Sequence, residues 1–354
     1  MRHHLRILCA CALLAVTAAA ARAQSLLTLP EASQRAVVTQ RIGLTDITIT
    51  YHRPLVNGRK VWDGIVPYGQ VWRAGANENT TIEFSTPVAV EGQPLAQGRY
   101  GLHMIPGTDS WTVIFSKNST SWGSFTYSQA EDALRVTVKP QPGEPHEALT
   151  YDFDDLKPES TAVTLRWEKL AVPFHVSGDE KEVTLASMRN ELRGAKQYVW
   201  EGPAEAAQYC LQNKVALDEG LKWADQSVGI EERFDNLMIK AGLLEALTRT
   251  ADAKTAKDKA LAIANPTQIY FYARTLQAQN KQSEAMEIFK ITQRRYPDHW
   301  LGHMAAARLA SAAGDFPTAL KEAKTVQAMD IPDIQKPNLV NLVKRLENKE
   351  DINK

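Results

Sequence analysis

Residues 47–52 read Ile-Thr-Ile-Thr-Tyr-His, so apolar and polar side chains alternate along this stretch. A period of two places the apolar side chains on one face of a β-strand and the polar ones on the other. Similar runs recur from about residue 35 to residue 177, separated by turn sequences such as Asn57-Gly58. About nine strands in some 140 residues, without a helical pattern between them, predict an antiparallel β-sandwich or barrel. The predicted strands are Ile47–His52, Thr81–Ser85, Val88–Glu91, Arg99–Ile105, Trp111–Lys117, Leu134–Lys139, Leu149–Phe153, Ala162–Trp167 and Val172–Val176.

After about residue 180 the pattern becomes helical, because Gly, Pro and β-branched residues thin out while Ala, Leu, Glu, Lys and Gln increase. Small residues recur 34 positions apart, at Ala273 and Ala307 and again at Ala285 and Ala319. With the aromatic Phe289, they have the spacing of a tetratricopeptide repeat. Since one helix pair cannot bury its own apolar face, the sequence predicts a stack of three to four α-hairpins.

The N-terminal segment, residues 1–23, is typical of a secretory signal peptide. A basic start precedes the apolar run Ile7–Ala21, and Ala21-Arg22-Ala23 fits a small-x-small cleavage site. We therefore expect a periplasmic or secreted protein with no integral membrane span after cleavage. The remaining boundaries follow from the two patterns: a β domain over residues 35–177, a linker and helix over 178–199, tetratricopeptide-like repeats over 200–333, and a C-terminal helix and tail over 334–354. The tail from Glu347 onward is expected to fray.

The composition excludes several classes of protein. Lys plus Arg equals Asp plus Glu, at 41 each, so no overall basic field points to a nucleic-acid partner. Only Cys210 of the three cysteines follows the predicted cleavage site, which leaves no internal disulfide and favours a buried inert thiol. The chain has no Gly-rich phosphate loop, Gly-x-Ser-x-Gly elbow or Cys-x-x-Cys pair, so these motifs do not identify a reaction.

One stretch, residues 51–81, concentrates aromatic, cationic and polar side chains in a mixture that suits a ligand groove. Trp62 and Trp72 could stack on a sugar or an aromatic ring, and Arg53, Arg59 and Arg73 could hold an anion. In the alternative, the tryptophans plug the end of the sandwich while Arg73 pairs with Glu78 structurally. The candidate ligand-binding residues are His52, Arg53, Trp72, Arg73, Asn77, Glu78, His103, Lys117 and Trp122.

The sequence shows no local metal chelate in the β half, because none of its histidines lies two or four residues from another. His52 and His103 could meet only across strands. His299 and His303 share one helix face, but a surface pair without a third ligand is the commoner case. We therefore predict no metal residues, and the sequence does not identify a cofactor.

Several longer motifs between Thr50 and Phe174 carry a family resemblance. They are Tyr51-His52-Arg53-Pro54, Trp72-Arg73-Ala74-Gly75-Ala76-Asn77-Glu78-Asn79-Thr80, Gly98-Arg99-Tyr100-Gly101-Leu102-His103, Phe115-Ser116-Lys117, Trp122-Gly123-Ser124-Phe125 and Leu165-Arg166-Trp167-Glu168. This run resembles domain of unknown function 2911. The resemblance implies an exported bacterial β-sandwich-like domain, often followed by tetratricopeptide-like helices, and it implies no catalytic residue. The polar character of the motifs hints at a site around Arg73, Asn77, Glu78, His103 and Lys117.

Two functional classes, and a purely structural role, stay open at this point. In the first, the protein is a binding or assembly module, with a protein partner on the helical repeats and a small-molecule or glycan ligand on the β domain. In the alternative, it is an envelope enzyme, hydrolytic or metal-assisted. Arg73 would then hold an anionic group, Glu78 or His103 would move protons, and Lys117 would stabilise charge.

Overall fold

The computed structural model describes residues 30–354, so the predicted signal peptide lies outside the described residues. The described chain divides into two compact units, one ending at Thr184 and the other comprising Leu185–Lys354. Across residues 30–354, no helix combines the length and the apolar character that a membrane span requires.

The first unit contains two antiparallel sheets. The larger sheet has six strands in the order β1-β2-β3-β6-β7-β8, and the smaller has four in the order β5-β4-β10-β9. In the part of the chain that the structure describes, neither sheet closes into a barrel, so of the two predicted architectures the sandwich is confirmed. The strands are β1 (Gln34–Ile42), β2 (Thr45–Arg53), β3 (Thr81–Phe84), β4 (Val88–Val90), β5 (Gln93–Leu95), β6 (Gly98–Ile105), β7 (Trp111–Ser116), β8 (Asp132–Val138), β9 (Gln141–Lys157) and β10 (Ser160–Ser177).

Apolar side chains from both sheets form one core. Ile47, Ile49 and Tyr51 of β2 are fully buried in it, as their alternation predicts. Phe115 of the larger sheet meets Phe174 of the smaller one edge to face, with ring centroids 5.8 Å apart. The two sheets therefore bury their facing sides against each other.

The longest strands, β9 and β10, form a hairpin that the sequence predicted only in pieces. The predicted strands Ala162–Trp167 and Val172–Val176 are parts of the single strand β10. Its pairing with β9 is interrupted by register shifts, one of them between Arg166 and Glu168. The far end of β9, with Pro142 and Pro145, is exposed.

Two strands were not predicted. In β1 the polar and apolar residues do not alternate cleanly, since the strand lies at the edge of its sheet and much of it is exposed. Strand β5 begins at Gln93 and spans only three residues. Glu91 and Gly92 both have positive φ, 48° and 75°, and alone make the two-residue connection to β4.

Ten α-helices follow the strands: α1 (Glu180–Glu191), α2 (Glu201–Asn213), α3 (Leu217–Ile230), α4 (Phe234–Ala246), α5 (Thr250–Ile263), α6 (Pro266–Ala278), α7 (Gln282–Arg295), α8 (Trp300–Ala312), α9 (Phe316–Gln327) and α10 (Lys336–Glu347). Helices α2 to α9 pack as four consecutive antiparallel pairs. Ala273 of α6 and Ala285 of α7 are fully buried, as are Ala307 and Ala319 in the next pair. Small residues at these positions let the helices approach closely.

Two details of the helical unit bear on the predictions. Cys210 is buried opposite Gly220, and burial raises the pKa of its thiol to about 11, as expected for an inert cysteine. The prediction of a frayed tail is wrong, because Ile352 is buried, its carbonyl accepts from Arg308 (2.8 Å), and its amide donates to Ser311 (3.0 Å).

Candidate functional site

The two histidines that the sequence singled out as candidates, His52 and His103, lie on the outer face of the larger sheet. Thr50, Thr81 and Gly101 are paired in register across β2, β3 and β6, so they share one face. His52 follows Thr50 by two residues in β2, and His103 follows Gly101 by two residues in β6. The two histidines therefore lie on the same face of the sheet, at the same level and two strands apart. The intervening Tyr51 and Leu102 point into the core, as the predicted alternation requires.

The segment of residues 117–128, here the covering loop, folds over this face. The Asn79 amide donates to the carbonyl of Ser121 (3.2 Å), and its side-chain Nδ2 donates to the carbonyl of Asn118 (3.2 Å). Gly101 makes the close approach possible, since a Cβ there would lie 2.3 Å from the Asn118 oxygen. Asn79 Oδ1 is buried and receives no hydrogen bond from the described residues.

His103 is enclosed beneath the covering loop, with 2% of its surface exposed. Its Nδ1 lies 2.9 Å from Ser124 Oγ, and its ring lies against Tyr127, whose hydroxyl donates to Asp132. Burial lowers the pKa of His103 to about 4, although the nearby Asp132 carboxylate opposes the shift. His103 is therefore neutral at pH 7 and holds the loop in place.

His52 lies between two carboxylates. Its Nε2 is 3.2 Å from Glu31 Oε2 and 3.3 Å from Glu78 Oε2. The imidazole is almost fully buried, whereas both glutamates are about half exposed. Asn77, held at a φ of 55°, donates from Nδ2 to Glu31 Oε2 at 2.7 Å and so orients that carboxylate. We call Glu31, His52 and Glu78 the carboxylate–histidine cluster.

Arg73 has a cationic group without an anionic partner. Its Nε is buried and makes no hydrogen bond, and no carboxylate of residues 30–354 forms a salt bridge with it. Burial lowers the pKa of its guanidinium, an effect that the charge of Glu78 partly offsets. The predicted structural pair of Arg73 and Glu78 is thus a longer-range attraction and not a direct contact.

Two exposed aromatic rings cover Arg73. Trp122 and Phe125 are 61% and 80% exposed, and they stack with centroids 5.9 Å apart and planes 14° apart. The guanidinium of Arg73 lies over the Trp122 ring at 5.5 Å. Together the two rings form an exposed apolar surface beside the cation, and contiguous surfaces of this kind can mark binding sites.

Two clefts open beside these residues. The histidine cleft, about 450 Å³, is lined by Arg35, Thr50, His52, Glu78, Asn79, Arg99, Ser119, Thr120, Ser121 and Trp122. The arginine cleft, about 500 Å³, includes Gln70, Trp72, Arg73, Gly75, Ser124, Phe125 and Trp167 in its walls. Both volumes are within the range of small-molecule sites.

The other candidate residues have different roles. Arg53 bonds to the Leu149 carbonyl and the Thr150 hydroxyl, and Arg59 bonds to the carbonyls of Leu55 and Val56, so both hold the backbone together. The Lys117 side chain is exposed on the covering loop.

Trp62 and Trp72 pack with Trp111 and Trp167 at centroid distances of 5.0 to 6.5 Å, so they plug the sandwich as the alternative held. Trp72 also contributes to the arginine cleft.

The candidate residues did not include Glu31 of the carboxylate–histidine cluster, nor the cleft residues Arg35, Arg99 and Phe125. Glu31 precedes the predicted β domain and carries no signal of its own. Phe125 and Arg99 belong to the family motifs given in the sequence analysis. Their place in those motifs was a signal by which they could have been predicted.

The family comparison covers the β domain. Residues 33–176 match the model of a family described as "Protein of unknown function (DUF2911)". A search of the curated proteins finds no match to the chain. The matched range contains all the residues of the two clefts, whereas Glu31 lies just before it.

Proposed function

We propose that this chain is an exported binding protein. Its β domain takes a small ligand that carries an anionic group and a flat ring, and its helices form a tetratricopeptide-like surface for a protein partner. Export is supported by the basic, apolar and small-residue order of the N-terminal sequence.

The unpartnered cation of Arg73 carries the ligand proposal. A buried donor such as the Nε–H of Arg73 is ordinarily hydrogen-bonded, because leaving it without an acceptor costs free energy. A carboxylate or phosphate entering the arginine cleft would supply acceptors in bidentate geometry. Neither Arg53 nor Arg59 is available in this way, since backbone oxygens already occupy both.

The stacked pair of Trp122 and Phe125 supports a flat ring on the same ligand. Their faces are exposed beside the cation, whereas Trp62 and Trp72 are partly buried and pack against the core. An aromatic or sugar ring that covered them would bury apolar area and gain favourable ring contacts.

The partner surface is supported by the four stacked helix pairs. Their buried alanines at 34-residue spacing are those of a tetratricopeptide-like stack, and such stacks present extended surfaces to peptides and proteins. The cleft between α3, α4 and α5, about 330 Å³, has charged walls that include Asp225, Lys240 and Arg249.

The surroundings of His103 and Lys117 favour a binding role over proton-transfer catalysis. The enzyme alternative assigns proton transfer to Glu78 or His103, and burial lowers the pKa of His103 to about 4, well below neutral pH. The alternative also needs Lys117 beside the reacting group, and that side chain faces solvent on the covering loop.

Native mass spectrometry of protein purified from its own cell envelope tests the proposal. We expect a bound anionic compound on the wild-type protein, and we expect its loss from Arg73→Gln, which keeps the length of the side chain but not the charge. Arg59→Gln is the matched control, because Arg59 lines the same cleft but is occupied by backbone carbonyls. A wild-type protein without ligand, or equal occupancy in Arg73→Gln, would contradict the proposed ligand site.

A further inference from the structure

The carboxylate–histidine cluster presents one nitrogen and two oxygen atoms to a common point. One ligand atom from each of Glu31, His52 and Glu78 can be chosen so that all three lie within 4.8 Å of one another. Two glutamates come from loops and the histidine comes from β2, so the cluster depends on the fold and not on a local motif. Nothing in the proposed anion site at Arg73 uses these residues.

A single imidazole proton does not satisfy this arrangement. Nε2 carries at most one hydrogen, so it donates to Glu31 or to Glu78 but not fully to both. No Lys or Arg of the described residues forms a salt bridge with either glutamate. Two carboxylates this close repel each other unless a positive charge lies between them.

The distances fit a shared cation. Ligand atoms bound to tetrahedral Zn²⁺ at its usual bond lengths are about 3.3 Å apart. The distances from Nε2 to the two carboxylate oxygens are 3.2 and 3.3 Å. The Asn77 side chain already donates to Glu31 Oε2, the oxygen that faces His52, as outer hydrogen bonds do for metal ligands.

The surroundings leave room for further ligands. His52 and Glu78 line the histidine cleft, and Asn79 Oδ1, a buried acceptor without a donor, belongs to the same cleft. A water molecule carried by a bound ion would be a donor in that space.

We propose that Glu31, His52 and Glu78 bind one divalent first-row transition ion, of which Zn²⁺ is the best match, at the entrance of the histidine cleft. The imidazole ligand favours such ions over Mg²⁺ and Ca²⁺, which prefer oxygen ligands only. Three protein ligands leave a fourth position open toward the cleft, which is the pattern of sites that bind water or an exogenous ligand.

Titration of the untagged full chain with Zn²⁺ by isothermal calorimetry, after dialysis against EDTA, tests the site. We expect one strong equivalent in the wild type and about 100-fold weaker binding in Glu78→Gln and in Glu31→Gln. Both side chains are about half exposed, 56% and 46%, so these variants are expected to fold. Glu83→Gln is the control, because Glu83 is exposed on the outer face of β3, close in sequence to Glu78, and lies outside the cluster.

Co²⁺ substitution gives a second readout that does not depend on heat. Four-coordinate Co²⁺ produces intense visible absorption bands, and we expect them in the wild type and in Glu83→Gln but not in Glu78→Gln. Absence of a stoichiometric Zn²⁺ equivalent in the folded wild type would overturn the site. So would affinities in Glu31→Gln and Glu78→Gln equal to the wild type, since the ion would then be bound elsewhere.

Discussion

Arg73 of the arginine cleft lies beneath Trp122 of the histidine cleft, with its guanidinium carbon 5.5 Å from the ring centroid. The contact separates the two clefts and stabilises the cation by about 0.5–1 kcal/mol without using a carboxylate. The guanidinium donors at the edge of the ring thus stay available to a ligand. The proposed ligand site in one cleft and the proposed ion site in the other are separated by this one pair of side chains.

Gly123 leaves the space that the Arg73 side chain occupies, and we expect Gly123→Ala to displace that side chain. A Cβ at Gly123 would lie 2.6 Å from Arg73 Nη1, and the residue has a φ of +71°. Gly69→Ala is a matched control, with the same φ of +71° and no atom within 4 Å of the added Cβ. Both variants should lose about 1 kcal/mol of unfolding free energy from the backbone alone.

Urea unfolding and native mass spectrometry separate the two effects. Only Gly123→Ala should also lose the copurified ligand. Equal ligand occupancy in the two variants would mean that the position of the Arg73 side chain does not depend on the space at Gly123.

His103 should make stability depend on pH. Burial lowers its pKa from about 6.5 in the unfolded chain to about 4 in the folded protein. The folded state is then not penalised above pH 6.5, and it loses up to about 3 kcal/mol as the pH falls from 6.5 to 4, because the unfolded chain takes up the proton first. Urea unfolding at several pH values measures the loss.

A His103→Gln variant should lack this part of the pH dependence, while His175→Gln, whose imidazole is 64% exposed, should keep it. Parallel stability curves for the wild type and His103→Gln would show that His103 is not the group responsible.

Tyr151 holds the backbone of the site from the core. Its hydroxyl donates to the Ala74 carbonyl at 2.9 Å, and Ala74 is fully buried with a φ of 51°, which is rare for alanine. We expect Tyr151→Phe to cost about 1–2 kcal/mol of unfolding free energy and to weaken ligand binding at the neighbouring Arg73.

Tyr100→Phe is the control for that change. It removes a similar hydrogen bond, of 2.8 Å, which goes to the Ala96 carbonyl and not to that of Ala74. Unfolding and ligand occupancy are measured on both variants. If Tyr100→Phe lowered ligand occupancy as much as Tyr151→Phe, the effect would be general destabilisation.

Close helix packing in the second unit gives a fourth prediction. Ala273 is fully buried in α6, whereas Ala278 near the end of the same helix is exposed. Ala273→Leu should lower the unfolding free energy of the helical unit by about 1–3 kcal/mol through overpacking, and Ala278→Leu should leave it nearly unchanged. Thermal unfolding followed by circular dichroism distinguishes them, and similar melting temperatures would argue against close packing at Ala273.

Local patterns predicted most of the fold. Alternation over residues 47–52 and 99–105 is a property of neighbouring residues, and the structure has strands at both places. The edge strand β1 was missed because an exposed edge does not need an apolar face. Strand β5 was missed because Gly92 and Pro94 look alike as turn residues, although only the first belongs to the turn.

The site was only partly predictable, since it depends on pairs far apart in sequence. His52 and Glu78 were candidates, but their partner Glu31 became visible only in the folded chain. The sequence around Trp62 and Trp72 likewise did not show whether the two rings bind a ligand or pack in the core. They pack against Trp111 and Trp167, which come from distant strands.

The exposed end of β9 has a consequence for association between copies of this protein. Pro142 and Pro145 have no amide hydrogen, and Glu144 and Glu147 add charge beside them. A free strand edge is a template on which another chain can add a strand, and prolines and charges are the usual protection against it. This exposed end of the long hairpin therefore resists edge-to-edge pairing with a second copy of the protein.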